Sequence, residues 1–326
     1  MHIPDGFLDL RTVATTSALS ATGLSLALAR LRHGLARRRI PMMGLAASFL
    51  FAAQMLNFPV AAGTSGHLLG AVLAAVLLGP SAAVVVMTAV LLVQALLFAD
   101  GGLLALGANV LNMAVVAVLG GFAVFRPLQR LLPGPRGLVA ATAFASWWSV
   151  LLASIVCAAE LAGSRVAPWR LVFPAMASIH MLIGLGEALI AALVIAAILR
   201  TRPDLLDYAL RTGAASRSGV PSWLRFPAAY GFAAVLGLVV FGVPLASTRP
   251  DGLERVAVAL GFRAKAVIAV LPAPMTDYRL PGLGSATAAT WAAGLLGVLV
   301  VFALAYGLAM ALVPKAKPDA VPDARA

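Results

Sequence analysis

The sequence predicts an all-α, polytopic integral membrane protein with about nine transmembrane helices. Three observations carry this. Of the 326 residues, 62% are hydrophobic and 11% charged, with a mean hydropathy of +0.99, whereas a soluble globular chain carries about 25% charged residues. The apolar residues gather into runs that approach the ~20 residues a helix needs to span a bilayer. The arginines fall between those runs, so the net charge of +12 is explained by membrane topology and calls for no nucleic-acid partner.

Taken in order, the membrane-length runs lie at 12–29, 42–61, 82–99, 103–125, 138–163, 173–199, 226–246 and 285–312. A further run at 68–78 is too short for a full span. It reads either as a crossing that starts inside a cavity or as a re-entrant segment, and the charges choose between them. If it crosses and the N-terminus is outside, the basic clusters at 30–39, 126–136, 200–225 and 315–325 all face the cytoplasm, about two thirds of the Lys and Arg. If it re-enters, the basic residues divide evenly. The positive-inside rule therefore selects nine crossings, with the N-terminus out and the C-terminus in. Residues 1–200 form a seven-helix bundle, and 201–225, with Pro203 and Pro221, form a cytoplasmic linker. Residues 226–313 form a two-helix unit with an outer loop at 247–284. The tail 314–326 is expected to be disordered.

Several chemistries are excluded by pattern. One cysteine, Cys157, allows neither an internal disulfide nor a CxxC site. No GxxxxGK[ST] phosphate loop and no HExxH zinc-protease helix occur.

The stretch that most invites chemistry is the first, Met1-His2-Ile3-Pro4-Asp5-Gly6-Phe7. It lacks the basic and apolar regions of a secretory signal, and Pro4-Asp5-Gly6 reads as a tight turn. The bulky His2 is expected to leave Met1 in place. The α-amine, the His2 amide nitrogen and the His2 Nδ1 can then close fused chelate rings around one metal ion. A fourth nitrogen would complete a square plane, the geometry of Ni(II) and Cu(II).

Other polar residues have bland and functional readings side by side. His67 follows Gly63-Thr64-Ser65-Gly66 and is either a capping or packing residue or the missing nitrogen. Gly66 and Gly70 form a GxxxG, which is usually helix packing. His180 and Glu187 share one helix face, and ionisable groups inside a membrane usually face an interior cavity. They are a structural pair or second-shell or pathway groups. Asp100 is either a helix cap or a neighbour of the site. Asn57, Asn109, Asn112, Gln54 and Gln94 are buried amides, interhelical glue or holders of the N-terminal loop. His33 is a solvated loop residue.

Four ordered motifs carry a resemblance: Met1–Phe7, Gly-Thr-Ser-Gly-His-Leu-Leu-Gly at 63–70, Leu-Phe-Ala-Asp-Gly-Gly-Leu-Leu-Ala-Leu-Gly-Ala-Asn at 97–109, and His-Met-Leu-Ile-Gly-Leu-Gly-Glu at 180–187. Over about residues 1–200 the chain resembles the membrane-embedded substrate-binding component (CbiM/NikM type) of energy-coupling-factor cobalt/nickel importers. The C-terminal pair of helices, with Pro-Asp-Gly-Leu-Glu at 250–254, resembles the small accessory component of the same importers (NikN/CbiN-like), here fused. The resemblance implies a site made of Met1, His2 and His67. Asn57, Asp100, Asn109, His180 and Glu187, read from their polarity within or beside apolar runs, are candidate neighbours of the ligands or pathway residues. The resemblance implies Ni2+ or Co2+ as the transported substrate, no catalytic cofactor, and a bacterial inner-membrane location. It also implies two kinds of partner, a transmembrane coupling protein (CbiQ/NikQ-like) and ATPase subunits (CbiO/NikO-like). The missing phosphate loop agrees with ATP hydrolysis in other subunits. A metal sensor or channel without ATPases remains the alternative reading. A membrane enzyme lacks support, because no water-activating Glu or His cluster appears.

Overall fold

The computed structural model describes residues 1–33, 35, 37–206, 227–267 and 271–312. It is a helical bundle: α1 (Leu10–Arg32), α2 (Ile40–Met55), α3 (Ala71–Leu78), α4 (Pro80–Phe98), α5 (Leu106–Leu131), α6 (Gly134–Gly163), α7 (Trp169–Thr201), α8 (Pro227–Gly242), the short α9 (Gly252–Ala259) and α10 (Ala286–Leu312). Six of these are long and apolar enough to cross a membrane, and α2 and α8 are shorter apolar helices. With α3 this accounts for the nine expected passages. The linker at 201–225 falls largely, and the tail at 314–326 wholly, outside the described residues.

The sheet is minimal. Phe58–Pro59 (β1) pairs antiparallel with Ser65–Gly66 (β2), with Phe58 opposite Gly66. This corrects the span expected at 42–61, because α2 stops at Met55 and Leu56 is already extended. Pro59 supplies the reason, since it disfavours helical backbone in the residue before it and has no N–H to donate. The GxxxG reading is corrected as well. Gly66 lies in β2 and Gly70 precedes α3 with a φ of +73°, so neither sits on a helix face.

Helix α3 has only eight residues, about 12 Å of rise. The residues before it, 56–70, hold two short strands and a 3-10 turn at Ala61–Gly63, and the last of them complete that passage. Backbone without helical bonds is tolerated at such depth only where protein satisfies it, and Glu187 does so. Its carboxylate accepts the Leu69 and Gly70 N–H groups at 2.6 and 2.7 Å and is fully buried in α7. Gln54 in α2 adds a hydrogen bond to the Leu69 carbonyl at 2.9 Å. The last two long helices are not a separate body, since α8 and α10 both pack on α2, and α9 packs on α7.

Removing the Glu187 acceptor strands two buried N–H groups, at about 1–3 kcal/mol each. Glu187→Ala is expected to lower the detergent-solubilised protein's unfolding free energy by about 2–6 kcal/mol, while Glu187→Gln, which keeps one acceptor, loses less. Thermal unfolding of the three proteins checks this.

Candidate metal centre

The first seven residues thread into one end of the bundle. Ile3 is fully buried, and Met1 and Phe7 nearly so. The Ile3 N–H donates to Asn109 Oδ1 at 2.8 Å, and Asn109 Nδ2 donates back to the Ile3 carbonyl at 3.1 Å. The same carbonyl accepts the Gly102 N–H at 2.9 Å. Asp5 closes the turn, its Oδ1 accepting the Leu104 and Ala105 N–H groups at 2.9 and 3.2 Å. Gly102 is required here, because a β-carbon at that position would run into the Asp5 backbone and carboxylate.

Thus anchored, the Met1 nitrogen lies 2.8 Å from His67 Nε2. The β1–β2 hairpin delivers His67, and its Nδ1 donates to the Leu68 carbonyl at 3.1 Å, which leaves the Nε2 lone pair facing the amine. The His2 and His67 rings stack with centroids 5.1 Å apart. Metal–nitrogen bonds of about 2.0 Å would set neighbouring corners of a square plane about 2.8 Å apart. The amine and His67 already stand at that separation. Among the described residues no three His, Cys, Asp or Glu side chains gather as a metal site.

His2 is held at both ring nitrogens. Nε2 lies 3.1 Å from Gln94 Oε1 and Nδ1 lies 3.1 Å from Asp100 Oδ1. Both partners are oxygen acceptors, and burial, with the adjacent amine's charge, lowers the His2 pKa to about 3. Burial raises that of Asp100. One proton shared between Nδ1 and Asp100 satisfies this geometry, and it must leave before Nδ1 can bind a metal.

The loop at 247–284 contributes two groups that sequence reasoning did not place at the site. Asp251 Oδ2 accepts from the Met1 amine at 2.9 Å. Burial would raise its pKa, but the amine's charge and the Glu254 N–H hold it below the usual carboxylate range. The Tyr278 hydroxyl donates to Asp100 Oδ2 at 2.6 Å while its ring stacks on Phe98. Asp100 is therefore a half-buried partner of His2 and Tyr278, which replaces the helix-cap reading. The signal for Asp251 was present in the 250–254 motif, where Asp251 and Glu254 form a capping box on α9. Ser65 ties that motif to the His67 hairpin, its N–H donating to the Pro250 carbonyl at 2.9 Å and its hydroxyl to that of Arg249 at 2.7 Å.

The remaining candidates separate. Asn109 anchors the backbone of the first residues, and Glu187 anchors the loop after His67. His180 lines a small cavity with Met1, His67 and Asp251. Asn57 lines a larger one of about 590 Å³, together with His2, Asp100 and Tyr278, and its carbonyl accepts the Ser247 N–H.

His67, like His2, has its pKa lowered to about 3, by burial and then by the amine's charge. An unfolded chain protonates both rings near the ordinary imidazole value of 6.5 and so binds more protons than the folded one below that pH. Stability of the metal-free protein is therefore full above about pH 6.5 and falls as the pH drops toward 3. Unfolding midpoints across that window should decline less steeply for His67→Gln than for the unaltered chain.

Comparison with known proteins adds to this geometry. Residues 2–205 match the family model CbiM, described as cobalt uptake substrate-specific transmembrane region, and residues 224–314 match the PDGLE domain. The chain is 36% identical over 310 residues to the "Putative fused nickel transport protein NikMN" of Archaeoglobus fulgidus, covering 94% of this chain and 98% of that one. It is 38% identical over 221 residues to the "Fused nickel transport protein NikMN" of Rhodobacter capsulatus, covering 63% and 64%. A crystal structure of a truncated transition metal transporter superposes with a TM-score of 0.57 at 33% identity, over 61% of this chain and 99% of that one. The chain belongs to the CbiM family of substrate-specific transmembrane regions and carries a PDGLE domain on the same polypeptide.

Proposed function

We propose that this protein is the membrane subunit of an ATP-driven energy-coupling-factor importer, and that it captures Ni2+ or Co2+ at its extracytoplasmic face. The ligands are the Met1 amine, the His2 amide nitrogen, the His2 Nδ1 and His67 Nε2. The observation that carries this reading is the 2.8 Å separation between the Met1 nitrogen and His67 Nε2 on a segment locked by main-chain hydrogen bonds. The names of the relatives, which refer to nickel and cobalt, support the choice of ion.

In this reading residues 1–200 bind the metal, 201–225 link on the cytoplasmic side, and 226–313 are the accessory unit. The N-terminus and the 247–284 loop face outward from the bacterial inner membrane, which fits the distribution of basic residues. The larger cavity, lined by the acids Asp100, Asp251, Glu254 and Asp277 against the two bases Arg249 and Arg263, is the approach for a cation. A transmembrane coupling protein and ATPase subunits supply the energy, and the lipid bilayer is the other partner. Capture replaces protons on the amine, the His2 amide and the His2–Asp100 pair, so binding releases protons and weakens as pH falls. Four nitrogens favour Ni(II) over Co(II), and Cu(II) above both.

A site that uses the amine depends on where the polypeptide begins. Isothermal titration with Ni2+ on the native chain, a Gly-Ser-extended chain and His67→Ala checks this. The extension is expected to weaken binding at least as much as His67→Ala does, because it removes a terminal chelate ring and crowds a buried segment. Equal affinity for the native and extended chains would remove Met1 from the site.

A further inference from the structure

His180 repeats the construction of His67. The His67 Nδ1 lies 3.1 Å from the Leu68 carbonyl, and the His180 Nδ1 lies 2.8 Å from the Met176 carbonyl. A carbonyl only accepts, so in each neutral ring Nδ1 carries the proton and Nε2 carries an exposed lone pair. Metal-ligating histidines are oriented in this way, the second nitrogen donating to a carbonyl.

A merely structural histidine at 2% exposure would be expected to pair its Nε2 with a donor. Among the described residues no such bond is found. The ring instead lines a cavity of about 20 Å³ together with Met1, His67, Asp251 and Gly252, room for one water-sized occupant. The chain keeps that space open at Gly252, where a β-carbon would lie 2.8 Å from His180 Cε1 and 2.9 Å from Nε2. The neighbouring Asp251 holds the Met1 amine.

We propose that His180 is a further metal-ligating residue, whose Nε2 takes the place of His67 on the divalent cation as the ion leaves the capture site for the interior of the bundle. Imidazole suits Ni(II), Co(II) and Cu(II) alike, and exchange of one imidazole for another keeps the ion ligated throughout. This rests on the capture reading above, and its test is separable from it.

The test removes His67 and asks what ligates next. Cu2+ serves as the probe, with pulsed electron paramagnetic resonance counting the bound imidazoles and titration giving the affinity. His67→Ala is expected to keep two imidazoles on the ion, from His2 and His180. His67→Ala/His180→Ala is expected to keep one and to bind at least tenfold more weakly than His67→Ala. Gly252→Ala, which fills the cavity and leaves both histidines in place, should reproduce that loss in the His67→Ala background even if the double variant folds poorly. One imidazole in both His67→Ala and the double variant, at equal affinity, would overturn the proposal. Failure of the capture reading would show separately, as an undiminished affinity of His67→Ala relative to the native chain.

Discussion

The arrangement depends on holding a chain terminus still. An α-amine is ordinarily the most mobile donor a protein has, and ordering it costs conformational entropy. Here the cost is offset by an unusual density of main-chain bonds over very few residues. Asn109 grips Ile3 through both its donor and its acceptor, Gly102 closes on the same carbonyl, and Asp5 caps the backbone at 104 and 105. With Ile3 fixed, covalent geometry leaves the Met1 nitrogen little freedom, and it arrives 2.8 Å from His67 Nε2.

The second half of the site is equally constrained, from another direction. His67 follows a two-residue strand, and the N–H groups of the two residues after Leu68 would be unsatisfied in a membrane were it not for Glu187. The short helix α3 is the consequence of that design, since eight residues of helix and a stretch of protein-satisfied loop share one passage. The PDGLE domain then covers the result. Asp251 neutralises the amine and Tyr278 completes the bonding of Asp100, so this end of the bundle is closed by paired charges and hydrogen bonds. This closure gives the accessory unit a physical stake in the site beyond packing against α2.

Much of this was legible in the sequence, and the reasons differ from residue to residue. Hydropathy exposed the long helices because lipid demands nearly continuous apolar runs. The spacing of His180 and Glu187 showed that they share a face, but spacing could not say that one turns to a cavity and the other to the backbone at 69 and 70. The end of α2 was misplaced because Leu56, Phe58, Val60 and Ala61 are as apolar as the helix before them, and Pro59 alone marks the break. Asp251 and Tyr278 stayed hidden because they reach their partners from 250 and 178 residues away. Asp251 lay within a quoted motif, yet its local pattern is fully explained by the capping box on α9. A residue that does two jobs shows only the local one to sequence reading.

The central claim, that main-chain nitrogen at Met1 and His2 joins two imidazoles around the cargo, is tested most directly by X-ray absorption at the nickel edge on the loaded, unextended protein. The account predicts a four-coordinate, planar nickel with nitrogen neighbours only, and outer-shell scattering from two imidazole rings. A six-coordinate nickel surrounded mainly by oxygen would contradict it, and would return the first seven residues to the role of a buried structural plug.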